Sequence, residues 1–190
     1  MPAPEPILQL PRCNCIIRPY DPNGDRDVEP LAKAANSPKV AQFMTNRFVH
    51  PYTLDDARSW IAQATSVSPM RDFAICLPDS GGGPGVVIGG IGLKMRDDIQ
   101  YRTMEIGYWL GEEHWNQGIA TEAVTAFSDW AFRTFPHLLR LEAGVIAGNI
   151  ASGRVLDKAG FKREGRQRKA VEKHGVVRDI LMHVMFRDER

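Results

Sequence analysis

Residues 105–132 carry five acidic residues and neither Lys nor Arg. The segment opens EIGYWLGEEHWNQGIATEA, which reads as strand, glycine-containing loop and helix. No other stretch constrains the chain as strongly. A helix N-terminus leaves about four backbone amides without helical partners and carries roughly half a positive charge. It can hold phosphate oxygens without any cationic side chain. Gly118 and Ala120 keep the backbone open to a ligand. An anion bound here must be held by backbone amides. The loop lacks the G-x-x-x-x-G-K-[ST] pattern of a Walker phosphate loop. Gly89, Gly90 and Gly92 do not make G-x-G-x-x-G and sit in a hairpin strand, so a dinucleotide-binding reading fails on spacing and context.

The surrounding pattern is a mixture of strands and helices. Residues 1–14 are Pro-rich and read as a flexible arm or an edge lead-in. Residues 15–190 read as one domain. CIIRPY at 15–20 is a first strand, followed by a DPNGD turn and helical spacing over 25–36. Ser37-Pro38 predicts a second helix running to about Met44. Thr53 with Asp56 three residues on predicts a third, with Ala57, Trp60, Ile61 and Ala64 on one face. Strands follow at 73–76, 86–93 and 102–110, with the loop at 80–85 joining the first two as a hairpin. A helix over 120–135 buries Ala123, Val124, Phe127, Trp130 and Ala131 and ends at Pro136. Then come a strand at 141–145, a helix at 151–159 stopped by Gly160, and strands near 161–167 and 176–185.

Composition bounds the function. The chain has 190 residues and a formal net charge of +1. That balance argues against a general nucleic-acid binder, whose footprint is usually basic. No apolar run reaches the roughly 18–20 residues of a membrane span. The N-terminal residues lack the pattern of a secretory signal. Cys13, Cys15 and Cys76 cannot form a disulfide framework. The expectation is a soluble, cytoplasmic protein. The five histidines show no metal-ligand spacing, so no metal site is expected.

A second element, GNIASGRVLDKAGF at 148–161, follows the strand at 141–145. Asn149 sits at the strand exit and Ser152 near a helix start, each also suited to capping. Taken with WNQGIATEA at Trp115, this resembles the GCN5-related N-acetyltransferase (GNAT) superfamily, and within it the ribosomal-protein alanine N-acetyltransferases. IIRPY at Ile16, PYTLDDA at Pro51 and EIGYWL at Glu105 occur in the matching order. The resemblance covers about residues 15–185. It implies an α/β (α+β) fold: a mixed, mostly antiparallel central sheet, splayed at the fourth strand, which ends EIGYWL, with helices on both faces. It also implies acetyl-CoA as cosubstrate. Its pantetheine arm would pair with the backbone of Tyr108, Trp109 and Leu110. Its pyrophosphate would rest on Gln117, Gly118, Ile119, Ala120 and Thr121. Asn149 would bond the pantetheine, and Ser152 would lie close to the sulfur.

Acetyl transfer needs a neutral amine. A lysine-like amine is on the order of 0.1% neutral at pH 7, an α-amine roughly a tenth. The site must therefore accept a proton, and Glu105 is the expected base, unless it only pairs with Arg or Lys at a strand end. A backbone amide around residues 107–109 would stabilise the developing oxyanion. Many relatives carry a tyrosine seven residues after the Asn to protonate the leaving thiolate. Here that position is Leu156, so Ser152, water or unassisted departure must serve. The expected acceptor is a primary amine, either a protein N-terminus or a small molecule, and the expected state is a monomer or homodimer. A noncatalytic acyl-CoA-binding module is the alternative. Finally, residues 151–178 hold nine basic residues against three acids. Arg154 and Lys158 are expected to meet the 3′-phosphate of CoA.

Overall fold

The computed structural model describes residues 5–22, 25–79 and 83–189. Met1–Pro4, Asn23-Gly24 of the DPNGD turn and Ser80–Gly82 of the glycine loop lie outside the described residues. Eight strands hydrogen-bond in the order β1-β2-β3-β4-β5-β6-β8-β7. They are β1 (Leu8–Leu10), β2 (Cys15–Arg18), β3 (Asp72–Leu77), β4 (Val86–Met95), β5 (Thr103–Leu110), β6 (Arg140–Ile146), β7 (Lys162–Lys173) and β8 (Val176–Phe186). The helices are α1 (Val28–Ala35), α2 (Pro38–Ala41), α3 (Leu54–Ser66), α4 (Ile119–Thr134) and α5 (Ile150–Lys158). The registered pairs are antiparallel except β5–β6, which is parallel. This is the mixed, mostly antiparallel α/β sheet expected from the sequence.

Two expectations change. The strand carrying EIGYWL is the fifth in chain order, because Leu8–Leu10 of the Pro-rich segment pairs with Ile17, Ile16 and Cys15. Leu10 is 1% exposed there, so the segment includes an ordered edge strand and is not an arm throughout. The helix at Pro38 stops at Ala41. The Ser37 hydroxyl caps nothing and donates to Glu112 instead, at 2.9 Å.

The chain forms two compact units. The first runs to Gly92 and adds Tyr108–Ala123. Its core joins Val28, Leu31 and Ala32 of α1 with Ala57, Ile61 and Ala64 of α3 against Ile16, Ala74, Cys76 and Val87 of the strands. The capping box predicted at Thr53 and Asp56 is present: Asp56 N–H donates to Thr53 Oγ1 at 3.2 Å and Thr53 N–H to Asp56 Oδ2 at 2.8 Å. Arg18 and Asp27 form a fully buried bidentate pair at 2.7 and 2.8 Å. The guanidinium also donates to the carbonyls of Pro19, Pro84 and Gly85. Every charged group in this pair has partners, as burial demands.

The second unit comprises Leu93–Gly107 and the chain from Val124 onward. Its core includes Val124, Phe127 and Ala131 of α4, Leu141 of β6 and Leu156 of α5, all fully buried. The β7–β8 hairpin turns through His174 and Gly175, at φ 50° and 75°, the paired left-handed conformations of a two-residue turn. Arg187 donates to the carbonyls of Phe132, Phe135 and Leu138, closing the C-terminal end of α4. The β5–β6 register covers Thr103, Met104 and Glu105 only, whereas β6 stays registered to β8 through Ile146.

Candidate active site

In the first unit, the end of β5 leads through a single 3-10 turn (Glu112–His114) into α4. Three contacts fix this passage. The Trp115 indole N–H donates to the Leu110 carbonyl at 2.9 Å. Glu112 accepts from the Ser37 hydroxyl and pairs with Lys39. Glu122, in the first turn of α4, accepts the backbone N–H of Arg12 at 3.0 Å and of Cys13 at 2.8 Å. Asn116 and Gly118 both take left-handed backbone, at φ 61° and 81°. Such reversals line successive N–H groups around one concavity. No atom lies within 4 Å of where a Cβ on Gly118 would stand. The N–H of Glu122 bonds the Gly118 carbonyl at 3.1 Å, which opens the helical ladder. The amides of Ile119 and Ala120 thus lie in the first turn, where helices have no carbonyl to offer. Ile119, 2% exposed, roots the turn in the core. The Gln117 side chain donates one N–H to the Glu113 carbonyl at 3.0 Å.

Tyr108, Trp109 and Leu110 precede this loop in the same unit. The Trp109 ring meets Phe48 edge-on at 5.2 Å. A Cβ on Gly90 would lie 2.9 Å from its Nε1, so glycine there makes room for the indole. The Leu110 carbonyl already has a donor in Trp115.

In the second unit, Glu105 sits on β5 between two cations. Its Oε2 lies 3.4 Å from Arg96 and 3.8 Å from Lys94. Arg96 bridges it to Glu142, its register partner on β6, with a 2.6 Å contact to Glu142 Oε1. Arg140 continues the chain of charges to Glu142 and Glu164. The strand-end pairing foreseen as Glu105's other role is therefore present. Asn149 is the N-cap of α5, its Oδ1 accepting from Ser152 N–H at 3.1 Å. This capping leaves the Asn149 amide hydrogens as the donors it can turn to a ligand. Arg154 and Lys158 are exposed, four residues apart on α5. Leu156 is 0% exposed, so the position of the relatives' tyrosine is here a core position.

The sequence matches the model of the acetyltransferase (GNAT) domain family over residues 14–162. The chain belongs to the GNAT acetyltransferases. It is 36% identical over 182 residues to the uncharacterized N-acetyltransferase YoaA of Bacillus subtilis, covering 92% of this chain and 93% of that one. It is 30% identical to the uncharacterized N-acetyltransferase p20 of Bacillus licheniformis, over 86% and 89% of the two chains. Among solved structures, RimJ of Mycobacterium smegmatis in complex with CoA-disulfide superposes with a TM-score of 0.74 at 25% identity, covering 92% and 83%. The protein is an acetyl-CoA-dependent N-acetyltransferase.

The passage into α4 fits the cosubstrate of a GNAT acetyltransferase. Its donors are neutral backbone amides, its glycine leaves open space, and residues 105–132 bring no Lys or Arg. Sequence reasoning passed over one residue of this GNAT chain, Asp72. It pairs in register with Gly92, and its carboxylate lies over that glycine. The signal was available in the run of glycines at 89, 90 and 92, since glycine inside a strand often marks a close approach.

Proposed function

We propose that this enzyme transfers the acetyl group of acetyl-CoA to a primary amine, a protein N-terminus or a small molecule, by direct attack in a ternary complex. The observation that carries this is the amide-lined first turn of α4, held to the end of β5 by Trp115. The cosubstrate supplies an activated acetyl thioester. In this reading, backbone groups of Tyr108, Trp109 and Leu110 hold the pantetheine arm. The amides of Gln117, Gly118, Ile119, Ala120 and Thr121 hold the pyrophosphate. The resemblance assigns Asn149 to the arm and Ser152 to the sulfur, and the excess of basic residues over 151–178 assigns Arg154 and Lys158 to the 3′-phosphate. Glu105 accepts the proton of the acceptor amine through water. Its engaged oxygen is Oε2, so Oε1 is the acceptor atom, and the two cations fix its direction.

Release of CoA thiol from acetyl-CoA, followed with an alanine tripeptide, spermidine and glucosamine as acceptors, tests the reading. Turnover with at least one amine is expected. If acetyl-CoA binds and none of the amines is acetylated, the amine reading falls.

A further inference from the structure

The first unit contains an anionic side chain that the cosubstrate site does not use. Asp72 opens β3, and its carboxylate is partly buried, which pushes its pKa up. Among the described residues the carboxylate has no hydrogen bond and no ion pair. Arg71 acts on it only through its charge. A carboxylate drawn out of water without a partner is costly. The surroundings show where a partner could come from. Gly92 and Gly90 stand opposite Asp72 and Ala74 in register, which bares the backbone of β4 on this face. A Cβ at Gly92 would lie 2.1 Å from Asp72 Oδ1, so the carboxylate occupies the space a side chain would fill.

Further along the same face stands Tyr20. Its hydroxyl is buried, with the side chain 1% exposed, and would lie 2.8 Å from a Cβ on Gly90. The Trp60 indole N–H faces that hydroxyl as a donor without closing to a full hydrogen bond. Asp72 and Tyr52 both act on it electrostatically. Phe48, Tyr52 and Trp109 form the aromatic side, with Phe48 centroids 5.2 Å from each of the other two rings. An unpaired anion seated over a glycine and three half-buried rings suit an alkylammonium ion. The anion takes the charge, and the rings take the carbon skeleton and add cation–π attraction.

We propose that Asp72 binds the ammonium group of the acceptor and that Phe48, Tyr52 and Trp109 receive its carbon chain. This rests on the amine-acceptor reading above and names the residue that selects for it. In the transfer itself the ammonium first gives one proton to water, the neutral amine nitrogen then bonds the acetyl carbon, the carbon–sulfur bond breaks with its electron pair going to sulfur, and the second proton lost from nitrogen goes to that sulfur, so CoA leaves as its thiol. Asp72 positions the nitrogen and is not required to take either proton.

The test is Asp72→Asn, nearly isosteric and uncharged, assayed by CoA thiol release with the alanine tripeptide, spermidine and glucosamine. The acceptor KM should rise at least tenfold. The KM for acetyl-CoA should stay within twofold, and the Tm should hold or rise, because an unpaired, partly desolvated charge has been removed. An acceptor KM within twofold of the parent overturns the proposal. So does a fall in Tm accompanied by weaker acetyl-CoA binding, which marks a structural role. Asp72→Ser repeats the comparison should the asparagine fail to fold. If the parent enzyme acetylates none of the amines, the amine reading falls first and this assignment with it. If the parent is active and the variant matches it, only this assignment falls.

Discussion

The indole N–H of Trp115 donates to the carbonyl of Leu110, so a side chain from the loop closes back onto the strand it has just left. The bond spans the turn between β5 and α4 and sets where the first amides of α4 stand relative to the strand end. Trp115→Phe keeps a ring and removes the donor. We expect the acetyl-CoA KM to rise about fivefold to tenfold and the unfolding free energy to drop by about 1 kcal/mol, the usual net worth of one hydrogen bond. Steady-state kinetics and urea denaturation read the two effects separately.

Arg154 and Lys158 lie one helical turn apart on α5 and point charge into solvent. Reversing both to Glu should raise the KM for acetyl-CoA and leave that for 3′-dephospho-acetyl-CoA nearly unchanged. Equal effects on the two cosubstrates would show that these residues do not read the 3′-phosphate.

Glu105→Gln keeps the shape of the side chain and removes its capacity to accept a proton. Arg96 retains its contacts to Glu142 in this variant, so the local structure should persist. We expect kcat to fall by about 10²-fold, the lower range for general-base catalysis, with the acetyl-CoA KM unchanged. A loss below threefold would reduce Glu105 to its ion pairs.

Burial of Arg18 and Asp27 makes each dependent on the other. Asp27→Asn should cost about 3–5 kcal/mol of stability, because it strands a guanidinium inside the protein. Guanidinium chloride unfolding measures it, and the double variant Arg18→Met with Asp27→Leu should recover much of the loss.

The three thiols should be slow to alkylate in the native protein. Burial pushes Cys76 up to about 12, and burial also raises Cys13 and Cys15. At pH 8 each is therefore almost wholly protonated, and the thiolate is the reactive form. Mass spectrometry after iodoacetamide should find little label on the native chain and full label after denaturation.

The strand–loop–helix around residues 105–134 was legible in the sequence because its signals are local. Glycine, a cation-free loop and the spacing of Ala123, Val124, Phe127 and Ala131 act over a few residues. The Thr53–Asp56 capping box was legible for the same reason. What escaped was settled by partners distant in the chain. Leu8–Leu10 looks like part of a proline-rich tail until Cys15–Ile17 supplies the opposite ladder. For Glu105 the sequence offered pairing with Arg or Lys but not the partner, which Arg96, bridging to Glu142, turns out to be. Asn149 reads as either cap or ligand contact, and the cap is present without excluding the contact. The setting of Asp72 is hinted at only by the glycines at 89, 90 and 92, and the register that sets the carboxylate over Gly92 had to come from the structure.

Glu122 takes the backbone N–H groups of Arg12 and Cys13 on one carboxylate. The N-terminal edge of the sheet and the opening turn of α4 therefore share an anchor. Trimming the chain through Cys13 to improve crystals, or fusing a rigid partner just ahead of β1, would disturb cosubstrate affinity from a place that looks dispensable on a linear map. A removable purification handle belongs at the other end.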